Sequence, residues 1–105
     1  MGRLLKMSHV TNILILAPLI EARSDAISNI NNYLNNLNKG SLKAIDSCSG
    51  GTKAMEVSVY AGAFNYLDIE EFLEVFKEAP WREKDRIQLL ICDQDDDKFS
   101  LHEVV

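Results

Sequence analysis

The chain has 105 residues, eleven Lys and Arg against sixteen Asp and Glu, a net charge of −5 and 47% apolar residues. That is one domain with one small core, which excludes a multidomain enzyme, a coiled coil, a collagen and a disulfide scaffold. The negative sign argues against a nucleic-acid partner, and the apolar fraction is too high for a disordered acidic tail.

Arg3 and Lys6 ahead of the apolar run Ile13 to Ile20 imitate a signal peptide. The run is short, contains Pro18 and leads to Glu21 with no small-residue cleavage pattern. No stretch approaches the ~20 apolar residues that a membrane-spanning helix needs. Cys48 and Cys92 form no Cys-x-x-Cys pattern and read as buried free thiols of a cytoplasmic protein. Residues 1–11 are expected to be a leader, 12–92 the folded core and 93–104 a terminal hairpin arm.

In chain order, Ile13 to Ala17 is apolar at every position and is stopped by Pro18, which predicts a strand covered on both faces at the centre of a sheet. Ser24 is a candidate cap for a helix whose Ile27, Ile30, Leu34 and Leu37 recur at helical spacing, with Gly40 as its left-handed stop. Its other face is rich in asparagine, a modest helix former, so its stability must come from docking.

Leu42 to Cys48 predicts a second strand, turned by Ser49-Gly50-Gly51-Thr52 into a third from about Ala54 to Phe64. There Met55, Val57, Val59 and Ala61 are assigned to the core face, and Glu56, Ser58 and Tyr60 to the other. Gly62 suggests a bulge. Asp68-Ile69-Glu70-Glu71 is a capping box opening a second helix with Ile69, Phe72, Leu73 and Phe76 buried, ended by Ala79-Pro80. Arg86 to Cys92 and Lys98 to Val104 complete the strands around an acidic turn. The order predicts an α+β fold of the ferredoxin-like, split βαβ kind, with an antiparallel sheet, two helices on one face and a C-terminal β-hairpin arm.

No constellation specifies a reaction or a cofactor. His9 and His102 have no sequence neighbour that defines a triad, and Cys48 becomes a nucleophile only if folding brings a histidine to it. Glu56, Tyr60 and His9 are the weak catalytic candidates. Asp93, Asp95 and Asp97 match the first ligands of an EF-hand loop, but Lys98 stands where glycine is needed and Val104 where a bidentate glutamate should close the site. Gly50-Gly51-Thr52-Lys53 lacks the remainder of a P-loop.

A sheet with helices on one face leaves the other open, and here that face holds too much apolar area to stay wet. Its cover is expected to be the terminal arm around Phe99 and Leu101, a second copy of the chain in a homodimer, or another protein, with Glu56, Ser58, Tyr60 and a half-exposed Trp81 in the contact. The leading expectation is a non-enzymatic interaction or regulatory module. The alternatives are a dimeric enzyme or small-molecule-binding protein resembling the α+β-barrel proteins, with Glu56, Tyr60 and Asn65 polar in the pocket and His9 and Trp81 near its rim, and an acidic inhibitor of a toxin or nuclease.

Overall fold

The computed structural model describes residues 9–105. Val10–Pro18 forms β1, in which Thr11, Ile13, Ile15 and Ala17 are buried while the alternate positions, Asn12, Leu14 and Leu16 among them, are half-buried on the opposite face. The strand takes in Val10 and Thr11, which the sequence assigned to a leader; His9 of that segment is described as well, and residues 1–8 lie outside the described residues. β1 pairs antiparallel with β3 (Val57–Asn65) on one side and with β4 (Gln88–Asp93) on the other. The sheet has five antiparallel strands in the order β2-β3-β1-β4-β5, with β2 at Lys43–Ala44 and β5 at Ser100–Glu103.

Helix α1, Ala26–Asn36, joins β1 to β2, and α2, Ile69–Glu78, joins β3 to β4. Ile30 and Leu34 of α1 and Phe72 and Phe76 of α2 are wholly buried with Ile13, Ile15, Leu89 and Ile91 of the sheet, so one sheet face and two helices share a single core. Tyr33 crosses between the helices, and its hydroxyl donates to Glu71 Oε1 at 2.7 Å. Burial and that bond to an acid hold the Tyr33 hydroxyl well above its usual range.

Asp68 caps α2 as the sequence implies, its Oδ1 accepting from Glu71 N at 3.1 Å. The other half of the expected box is replaced, because the Glu71 carboxylate takes the Tyr33 bond. α1 ends earlier than predicted: Asn38, at φ 56°, supplies the left-handed residue in place of Gly40, with Asn38 N donating to Asn35 O and Lys39 N to Leu34 O. Leu37, expected in the buried stripe, is left exposed.

The largest departures lie between α1 and β3. The second strand spans Lys43–Ala44 instead of Leu42 to Cys48, because residues 46–48 turn into a single-turn helix and β3 starts only at Val57. The pairing continues by other means: Ile45 N donates to Val59 O, and Asp46 Oδ1 accepts from Val59 N in place of a backbone carbonyl. No bulge interrupts the β1–β3 register at Gly62. The glycine instead makes room for an aromatic ring, since a Cβ there would stand 2.6 Å from the ring of Phe64.

Candidate functional site

Residues opposite one another in an antiparallel pair share a face, so register decides which side chains line the open surface. Ile15 opposes Tyr60 and Leu89, and Ala17 opposes Ser58, so Tyr60 and Ser58 lie beneath the helices. Both are buried. The expected face assignment of β3 is therefore reversed: Val57, Val59, Ala61 and Ala63 point to the open side with Leu14 and Leu16. Glu56 precedes the strand and is exposed. Neither Ser58 nor Tyr60 is available to a partner.

Trp81 is also withdrawn. Its ring is buried edge-on against Phe76, and its indole N–H donates to Phe76 O at 2.8 Å. The Trp81 loop is held by Glu21, a buried acid whose carboxylate accepts from Arg82 N at 2.9 and 3.0 Å and from Glu83 N.

The terminal arm covers the open face only at Phe99, which lines a hollow there with Leu14 and Ala61, and leaves Leu101 exposed. β5 extends the sheet as a fifth strand, and Leu101, opposite Leu90, adds to the open side and is 52% exposed. The surface thus contains a row running Leu101, Leu90, Leu14, Ala61 and Lys43, and beside it a row of Glu103, Gln88, Leu16 and Val59. Between Phe99, Leu14, Ala61 and Ile45 lies a hollow of about 500 Å³, with Asn12, Ser41 and Lys43 as its polar lining. Phe99, Met55, Ile45 and Val57 are each exposed at roughly two-fifths of their surface. Two of the predicted contact residues, Phe99 and Leu101, thus share one apolar surface, whereas Glu56, Ser58, Tyr60 and Trp81 do not join it.

A polar cluster closes the end of the sheet. Asp93 Oδ1 accepts from Thr11 Oγ1 at 2.7 Å, and Asp93 Oδ2 lies 2.9 Å from His9 Nε2. The Thr11 bond first, and the His9 bond second, hold the Asp93 carboxyl below its usual range. Asn65 Oδ1 accepts from His9 N at 2.7 Å, and the His9 and Tyr66 rings stack. Of the barrel-type candidates, His9 and Asn65 do meet, though away from Tyr60 and Trp81. The aspartate sits between threonine and imidazole, accepting from the Thr11 hydroxyl on one oxygen and facing His9 Nε2 with the other.

Asp93 is turned toward Thr11 and His9, not toward Asp95 and Asp97, and among the described residues no three acidic, histidine or cysteine groups converge as a metal site. Cys48, expected in the core, is exposed and unpaired beside an apolar hollow formed with Ile45, Met55 and Val59. Cys92, also free, is half-buried on the open face, its thiol near the Asp93 and Asp96 carbonyls.

No protein-family model matches the chain, and no curated protein or solved structure shows significant similarity to it. No helix among the described residues is long and apolar enough to cross a membrane.

Proposed function

We propose that this protein is a small, non-enzymatic interaction module of ferredoxin-like, split βαβ architecture, which binds protein through the open face of its sheet. The architecture is supported by the position of α1 between β1 and β2, that of α2 between β3 and β4, and the order β2-β3-β1-β4 with a fifth strand added. The observation that carries the functional reading is the continuous apolar surface from Leu101 across Leu90 and Leu14 to Ala61 and Ile45, bounded by Lys43 and Glu103. Large exposed apolar patches with a charged rim are where protein partners dock. The non-enzymatic character is supported by the polar groups, which serve each other: Thr11 and His9 bind Asp93, and Glu21 binds main chain. Two unpaired thiols, one of them exposed, fit a reducing cytoplasm.

Affinity capture from one lysate with the wild type and with a folded Leu14→Lys/Leu101→Lys variant tests the reading. Specific proteins, or further copies of the chain, should be bound by the wild type and lost from the variant. Identical capture by both, or no association by either, would sink it.

A further inference from the structure

The open face has a property that a surface for an unrelated protein does not need: it is complementary to itself. In projection its thirty paired strand residues, ~4.8 Å apart across and ~3.4 Å along, cover on the order of 500 Å². Side chains standing off the plane enlarge that toward the ~800 Å² each partner contributes to a standard interface. The two ends of the face differ in sign and size. Lys43 stands at the β2 edge and Glu103 at the β5 edge, and neither forms an ion pair among the described residues. On the β2 side the face is floored by Ala61 and Ala63, and the hollow opens there; on the β5 side Leu90 and Leu101 project.

We infer that the occupant of this face is a second copy of the chain, packed sheet to sheet about a two-fold axis running along β1. The inference rests on the interaction reading above and names its partner. Such an axis exchanges the two edges of the sheet, so β2 of one copy lies over β5 of the other. Leu90 then meets the partner's Ala61, and Leu101 the aliphatic stem of the partner's Lys43. Leu14 and Leu16 meet their own counterparts at the axis. The Lys43 ammonium comes within reach of the partner's Glu103, one row away along the strand and ~10 Å across the sheet gap. Large side chains fall on small ones and opposite charges fall together at both ends. An axis across the strands would instead put Lys43 on the same edge as the partner's Lys43 and Glu103 on the same edge as the partner's Glu103, a like-charge arrangement that opposes pairing.

Light scattering on a sizing column and sedimentation under reducing conditions, over about two decades of concentration, should show a monomer–dimer equilibrium. Lys43→Glu and Glu103→Lys should each weaken the dimer about ten-fold, and the double reversal should restore it to within about three-fold of the wild type. Circular dichroism and thermal melting confirm that each variant is folded. A dimer indifferent to the reversals, or reversals that the double variant does not repair, overturns this geometry. A monomeric wild type whose Leu14→Lys/Leu101→Lys variant loses a captured foreign protein overturns self-association and leaves the interaction reading standing. A monomer with no such loss overturns both.

Discussion

Glu21 is a carboxylate with almost no solvent exposure whose partners are two backbone amides of the Trp81 loop. An unpaired buried charge is costly, and three short bonds from main-chain N–H groups replace the lost water. Glu21→Ala orphans both amides and is expected to cost about 2–4 kcal/mol in urea unfolding, whereas Glu21→Gln keeps one oxygen acceptor and should cost about half as much. This role was invisible beforehand, because Glu21 and Arg82 are far apart in the chain and an acid after Pro18 reads as solvated. Asp93 gives a pH signature. Its pKa is lower in the fold than in the unfolded chain, so its contribution is complete above the unfolded value, ~3.9, and disappears as pH falls through the folded value. Urea titrations below about pH 4 should therefore show a loss of stability that is smaller in Asp93→Asn. At Gly62, the Phe64 ring fills the space of a side chain, and Gly62→Ala is expected to lower stability by about 1–3 kcal/mol, read from the shift in denaturation midpoint.

Elements were legible where one physical signal acted alone. Asp68 followed by Glu71 and the Phe72, Phe76 stripe specified α2, and Ile13 to Ala17, apolar on both sides, specified a central strand. The parity of β3 was not legible, because both sheet faces are apolar and alternation alone does not say which is the core. Val57, Val59 and Ala61 look like core beside Ser58, yet the larger rings of Tyr60 and Phe64 fill the space under the helices. The short β2 escaped for a different reason, in that part of its fastening is side chain. Asn31 of α1 accepts from Leu42 N at 2.8 Å and donates to Leu42 O at 3.3 Å, imitating a neighbouring strand. An asparagine-rich helix face thus includes a tether for the edge of the sheet. Asn31→Ala should speed hydrogen exchange at the Leu42 amide and cost about 1–2 kcal/mol, while Asn32→Ala, at an exposed neighbour, should do neither.

The two faces of the sheet divide the molecule into a part that holds it together and a part it presents outward. Phe72 is wholly enclosed between sheet and helices, so Phe72→Ala is expected to cost about 3–5 kcal/mol. Leu101, half exposed at the sheet edge, has little folding free energy to lose, and Leu101→Ser in a monomeric preparation should stay within about 0.5 kcal/mol of the wild type by the same denaturation assay. A surface leucine whose loss leaves the fold intact is free to be used in association. The existence of an open apolar side could be inferred from strand composition, but not its residues, since that needed the register of β1 against β3 and β4.

The central position of β1 also governs the order in which the molecule can be made. β1 precedes both of its neighbours in the chain: β3 follows only after α1 and the long connection, and β4 only after α2 as well. Until both arrive, Ile13 to Ala17 is an unpaired, uncharged, branched segment of the kind that joins other nascent strands. Pairings of such long sequence separation form slowly, on the millisecond-to-second scale, and a strand placed at the middle gains both neighbours only once β4 has been made. The same strand that unites the finished domain is therefore the one most in need of shelter by a chaperone while the chain is still growing.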